Sequence, residues 1–248
     1  MSITVFFIIW ILLLLFGMPI FFSLGTISLI YLMSHQEILL SVPQRLTMTA
    51  DSFPLLAAPF FILMGNLMNR AGVTRRIFNF ANCLVGHIKG GLGHANIVAS
   101  MIFAGMSGAA VADAAGLGTI EIKAMKEGGY DADFAAAITA ASSTIGPIIP
   151  PSLPMIIYGV LANTSVGGLF VGGIIPGFLM GSALMIYVYF FARNKNYPRH
   201  RFPNLRNFSA ALKEAFLSLL TPVILLGGIF SGIFTPTEAA AVAAFYAL

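Results

Sequence analysis

Charge is what this sequence has least of. Only 9% of its 248 residues are Asp, Glu, Lys or Arg, against about 25% in an ordinary soluble domain. A water-soluble chain of this length needs far more polar surface to stay dispersed, so the composition excludes a soluble globular protein. Cysteine is nearly absent too. Cys83 stands alone, which rules out an intrachain disulfide and any cysteine-based metal site. Histidine is scarce, and His35, His87, His94 and His200 all sit in or close to polar connections. The net charge of +4 raises the question of a nucleic-acid partner, and position answers it. The Lys and Arg residues lie almost wholly in three short connections: Arg70 to Lys89, Lys123 with Lys126, and Arg193 to Lys213. That is the distribution of the positive-inside rule, not of a binding stripe, so no nucleic acid is expected.

What the sequence does have is apolar length. Hydrophobic residues make up 58% of the chain and arrive in blocks such as Ile3–Phe22, Pro54–Met68, Leu153–Leu161 and Leu169–Phe191. A helix needs about 20 apolar residues to cross the hydrocarbon core. The expected fold class is an all-α membrane protein, a multi-spanning helical bundle with the lipid bilayer as its surroundings. The first block lacks a basic leader, is too long for a signal's apolar core and has no small-residue cleavage pattern. It reads as a retained first span over residues 3–32, kinked at Pro19.

A polar connection, 33–52, carries Glu37, Arg45 and Asp51, and residues 53–69 make a second span. The segment 92–126 is apolar at both ends but opens in the middle, at Gly105-Met-Ser-Gly-Ala-Ala-Val-Ala-Asp-Ala-Ala-Gly-Leu-Gly118. Residues 131–163 are broken by Gly146-Pro-Ile-Ile-Pro-Pro-Ser152. Further spans follow at 166–192 and 212–233, and Thr235-Pro-Thr-Glu238 opens another helix. Counting charges favours a cytoplasmic N-terminus with 92–126 as a re-entrant hairpin, because only Arg45 then falls outside. Glu121 and Glu127 are expected to be solvated beside Lys123 and Lys126. The glycine series Gly168/Gly172 and Gly173/Gly177/Gly181 has the spacing of close helix packing, read as packing within the chain.

The two broken segments carry the functional argument. Asp113 places a carboxylate at membrane depth, where it must face a partner, a cavity or water. Irregular backbone is tolerated there only inside protein or beside a water-filled cavity. Pro147, Pro150 and Pro151 donate no backbone hydrogen bond, which frees nearby carbonyls, and Ser142, Ser143, Thr144 and Ser152 add hydroxyls. Discontinuous helices of this kind bind coupling ions through unwound carbonyls and anions through half-helix N-termini. A pair of them points to ion-coupled solute transport. A channel or passive scaffold is the alternative. Gly105-Met-Ser107-Gly108 also matches the nucleophile motif of rhomboid-type intramembrane proteases, but that chemistry needs a histidine base. His200 lies in a basic loop, and His94 is thirteen residues from Ser107, roughly 20 Å along a helix.

Several motifs together resemble the large permease subunit (DctM-like) of tripartite ATP-independent periplasmic (TRAP) transporters. They are Asp51-Ser-Phe-Pro-Leu-Leu-Ala-Ala-Pro-Phe-Phe-Ile-Leu-Met-Gly65, Gly90-Gly-Leu-Gly-His-Ala-Asn96 and Ser107-Gly-Ala-Ala-Val-Ala-Asp-Ala-Ala-Gly116. Ala140-Ala-Ser-Ser-Thr-Ile-Gly-Pro-Ile-Ile-Pro-Pro-Ser152 and Gly232-Ile-Phe-Thr-Pro-Thr-Glu-Ala-Ala-Ala241 complete the set. The resemblance implies a permease of the ion transporter superfamily in a bacterial inner membrane, driven by Na+ and importing organic acids of the C4-dicarboxylate or sialic-acid type. It implies two partners, a small membrane subunit and a periplasmic substrate-binding protein, and an elevator-type movement. Carried over residue by residue, the tip Ser107, Gly108 and Ala109 and the break residues Gly146, Ile149 and Pro150 would build one sodium site. Where family members often carry serine, Ala109 offers only its carbonyl. Ser142, Ser143, Thr144 and Asp113 are the substrate-binding candidates. The implied organisation is a scaffold and cytoplasmic arm at 1–90, a transport unit at 91–193, and a second arm, a further span and the start of a second repeat at 194–248. The family has two inverted repeats and this chain holds one hairpin and one broken helix, so it is expected to be the N-terminal half of a longer protein.

Overall fold

A chain in hydrocarbon must satisfy its backbone hydrogen bonds within itself, and helices do this locally. The computed structural model, which describes residues 3–35, 41–193, 195, 197 and 204–248, is helical throughout its regular structure among those residues. Two units are described separately, 1–52 and 53–248.

In the first unit, α1 (Ile3–Leu15) and α2 (Ile20–Ser34) are separate helices that fold back on each other. Gly17 reverses the chain at φ +82°, a conformation open to glycine without a Cβ penalty. Pro19 precedes α2. Trp10 Nε1 donates to Ser23 Oγ at 3.2 Å, and the Phe6 ring meets Tyr31 edge-on at 5.9 Å. The single kinked span expected over 3–32 is therefore a helical hairpin. With 13 and 15 residues, its arms are roughly 20 Å long. Part of the expected polar connection is helical, α3 (Ser41–Ala50); Glu37 lies outside the described residues.

The second unit opens with a 3-10 turn (Phe53–Leu56) and α4 (Ala57–Arg70). The basic stretch that follows holds α5 (Val73–Val85), whose Val73, Thr74, Ile77, Phe78 and Ala81 are buried while Arg75, Arg76 and Asn79 are exposed. That 3–4 spacing makes one apolar stripe, which packs on α6 (Gly91–Ser107) and α11 (Leu205–Phe230). Between them come α7 (Ala110–Glu127), α8 (Ala132–Ser143), α9 (Leu153–Leu161) and α10 (Val166–Arg193). At 28 and 26 residues, α10 and α11 are long and apolar enough to cross a membrane. The buried stripe Gly173, Gly177 and Gly181 lets α10 approach its neighbours. A Cβ at these positions would collide with Ile148 and Met155, Ile149, and Met101 respectively. The Gly173/Gly177/Gly181 spacing thus serves packing within the chain, as expected, whereas a Cβ at Gly172 would meet nothing within 4 Å and one at Gly168 only Ser165. The Thr235-Pro-Thr-Glu238 signal forms a capping box that starts α12 (Pro236–Tyr246), and Thr237 Oγ1 donates to the Phe53 carbonyl at 2.9 Å.

The link from α7 to α8 is pinned by aromatic and charged contacts. Tyr130 stacks on Tyr197 at 4.0 Å, and Asp131 accepts from Lys195 at 2.8 Å and from Tyr197 at 2.9 Å. The Lys195 ammonium and the Tyr197 hydroxyl hold the Asp131 carboxyl below its ordinary range.

Candidate cation and solute site

The segment around Ser107 folds as two antiparallel helices joined by a two-residue tip. Gly108 ends α6 at φ +60°, where its N–H bonds the Ala104 carbonyl at 3.2 Å. This is the left-handed helix end that glycine favours. Ala109 is extended, and its carbonyl accepts the opening bond of α7, from the Asp113 N–H, at 3.2 Å. The second segment breaks after α8, where a series of turns runs from Thr144 to Ser152 and contains the cis Pro150–Pro151 bond. Ser152 restarts the helix by accepting from Met155 N–H at 3.2 Å and donating to the Pro147 carbonyl.

Tip and break meet directly. The Gly108 carbonyl accepts from Leu153 N–H, the first residue of α9, at 3.2 Å. No side chain fits at Gly108, since a Cβ would run into the Pro151 carbonyl. A Cβ at Gly146 would lie 3.4 Å from the Ala109 carbonyl carbon and 3.5 Å from the Ala110 nitrogen. Four helix ends therefore converge. The C-termini of α6 and α8 direct carbonyls and partial negative charge inward, and the N-termini of α7 and α9 direct amides and partial positive charge. Among the described residues, the carbonyls of Gly146, Ile149 and Pro150 accept no hydrogen bond, and the buried Ser107 hydroxyl has no partner. Oxygens of this kind suit a hard cation.

The structure brings Ser107, Gly108, Ala109, Gly146, Ile149 and Pro150 into one neighbourhood. The four solute candidates divide. Thr144 is exposed, with its hydroxyl donating to the Ala141 carbonyl at 2.6 Å. Ser142 and Ser143 are buried; Ser142 donates to Asn96 Oδ1 at 2.7 Å and Ser143 to the Thr139 carbonyl at 2.7 Å. Asp113 is 1% exposed and neither carboxylate oxygen holds a hydrogen bond. Ser100 and Ser143 hydroxyls lie close to it, but their protons are directed to Ser142 and Thr139.

Glu121 overturns an expectation. It is fully buried rather than solvated, and its Oε2 accepts from Asn96 Nδ2 at 2.7 Å. Glu127 is exposed, 4.0 Å from Lys123. A signal for Glu121 was available: Asp113, Leu117, Glu121 and Met125 recur every four residues and all face inward. Sequence reasoning also gave no role to Asn96, Thr139 or Gly65, which packs against Ser107. Among the described residues the protease arrangement is not formed; His200 lies outside them. His94 is buried near the opposite end of α6 from Ser107, with Nε2 at 3.1 Å from the Lys89 carbonyl.

The family described as "Tripartite ATP-independent periplasmic transporter, DctM component" matches residues 7–248. The chain is 55% identical over 240 residues to the sialic acid TRAP transporter large permease protein SiaM of Vibrio cholerae, covering 96% of this chain and 56% of that protein. It is 48% identical to the sialic acid TRAP transporter permease protein SiaT of Haemophilus influenzae, covering 100% of this chain and 40% of the relative. To the C4-dicarboxylate TRAP transporter large permease protein DctM of Vibrio cholerae it is 45% identical, over 99% of this chain and 55% of the other. The chain thus spans about half the length of the curated relatives it matches. These relatives are transporter permeases, not enzymes.

Proposed function

The chain belongs to the DctM component family of the tripartite ATP-independent periplasmic transporters, and from that premise we propose that it forms a cation-binding, solute-carrying part of a sodium-coupled organic-acid permease. The observation that carries this reading is the contact between the Gly108–Ala109 tip and the Gly146–Pro150 break, with unpaired carbonyls on one side and two helix N-termini on the other. The carbonyls of Gly146, Ile149 and Pro150 and the Ser107 oxygens would hold Na+, and the N-termini of α7 and α9 would face the carboxylate of the solute. Among the described residues, no Lys or Arg stands among the buried polar and charged side chains to take that role. Sialic acid or a C4-dicarboxylate is the solute class we favour, since similar permeases carry those names. A small membrane subunit and a periplasmic binding protein complete the assembly, and an elevator-type movement carries the re-entrant hairpin with the broken helix.

The test is solute uptake into proteoliposomes holding the full-length permease and both partners. Removing the sodium gradient abolishes accumulation, and Gly146→Leu, which drives a side chain between Ser143, Ala109 and Ala110, weakens the sodium dependence. Uptake indifferent to sodium refutes the coupling. Uptake that never exceeds the solute's own gradient supports a channel instead.

A further inference from the structure

Between α6, α7 and α8, beyond the hairpin tip, runs a row of buried polar groups that the tip-and-break site does not use. Asn96 Nδ2 donates to Glu121 Oε2 and to Thr139 Oγ1, both at 2.7 Å. Asn96 Oδ1 accepts from Ser142, which in turn accepts from Ser100 at 3.1 Å. Glu121, Asn96 and Ser142 are fully buried and Thr139 is 2% exposed. Glu121 Oε1 has no partner. Gly118 leaves the space that Thr139 fills, because a Cβ there would lie 2.7 Å from the threonine methyl.

Among the described residues, no positive charge answers Glu121. Its own helix brings the like-charged, buried Asp113 and the exposed Lys123, Lys126 and Glu127. From α6 comes His94, held at the Lys89 carbonyl. The charged side chains of α4, α5 and α8 (Arg70, Arg75, Arg76 and Asp133) are exposed. A carboxylate closed into protein without a counter-charge does not persist; it takes up a proton or pairs with a cation. One amide nitrogen holds the Glu121 and Thr139 oxygens at 2.7 Å each, which keeps the two close enough to share one small ion.

We propose that Glu121 is the anionic centre of a small-cation site between the hairpin and α8, with Thr139 as a neutral oxygen ligand and Asn96 as the residue that positions both. The ligand is a proton or an alkali-metal ion, bound apart from the tip-and-break site, and it travels with the hairpin. The inference rests on the permease reading, and the experiment separates the two.

Uptake by the full-length permease with its partners is measured against sodium at fixed pH, and against pH at saturating sodium, for wild type and Glu121→Gln. If the ligand is a proton, Glu121→Gln flattens the pH profile and leaves the sodium curve unchanged. If it is sodium, the Hill coefficient for sodium falls and the pH profile stays. Both profiles coinciding with wild type overturns the proposal. Where Glu121→Gln does not assemble, Thr139→Val decides: an apparent affinity for one of the two cations weakened by about tenfold or more, the scale for losing a supporting hydrogen bond at an ion site, supports the site, and wild-type titrations in both overturn it. A wild-type permease indifferent to sodium would sink the sodium-coupling reading while leaving the pH comparison decisive for Glu121.

Discussion

Substituting Gly108 by alanine tests how tightly the hairpin tip and the broken helix depend on each other. The residue sits at φ +60°, a region that penalises any Cβ by roughly 1–2 kcal/mol. The added methyl would meet the Pro151 carbonyl, with Leu153 N at 3.2 Å. The tip must retreat, which breaks the bond from Leu153 N–H to the Gly108 carbonyl, worth about 0.5–1.5 kcal/mol. Together these amount to about 1.5–3.5 kcal/mol, or roughly a 10- to 300-fold loss at a factor of ten per ~1.4 kcal/mol. The expected result is a half-saturating sodium concentration raised by that factor in proteoliposome uptake, with a lowered melting temperature of the purified complex. Gly129→Ala is the matched control. Gly129 shares a positive φ of +78° but has nothing within 4 Å of a Cβ, so it bears the backbone penalty without moving the tip and leaves the sodium curve in place. A Gly108→Ala protein with wild-type sodium dependence and melting would refute the coupling of tip to break.

Two further outcomes follow from the packing. Gly177→Val places side-chain atoms against Ile149 and should destabilise the assembled protein by about 1–3 kcal/mol, the range for overpacking, whereas Gly172→Ala meets nothing within 4 Å and should melt as wild type. Equal melting of the two variants would show that α10 is not seated against the break. The third concerns pH. The pairing of Asp131 with Lys195 and Tyr197 holds its carboxyl below the ordinary value, so the stabilisation is present above the unfolded-state range and lost as pH falls through the depressed one. Asp131→Asn should therefore melt below wild type at neutral pH, and the gap should close on acidification. A gap independent of pH would mean that the contact does not act through charge.

Much of the site is legible in the amino-acid sequence. Gly108 and the prolines at 147, 150 and 151 announce backbone that cannot continue a helix, and that property is local to each residue. Asp113 is legible as a buried group because an apolar surround leaves a carboxylate few alternatives. Glu121 is misjudged from sequence because Lys123 and Lys126 lie near it along the chain; on the helix, the four-residue repeat of Asp113, Leu117 and Glu121 turns it away from them. Ser142 and Ser143 look available to a solute, but which hydroxyl faces outward depends on helix rotation, and α6 occupies the face on which Ser142 lies.

Composition and pattern alone determined that this chain is helical and lies in a membrane. A charge content this low and apolar runs this long leave hydrocarbon as the only compatible surroundings. They also determined where regular structure must break, because glycine and proline act on their own backbone. Tertiary structure decided which breaks touch. Nothing local makes Gly108 meet Leu153, or Asn96 join Glu121 to Thr139, since those contacts span 45 residues or 25 and 43. It also turned residues 3–35 back on themselves, through a glycine whose left-handed turn and a partner helix jointly settle a direction that hydropathy does not encode.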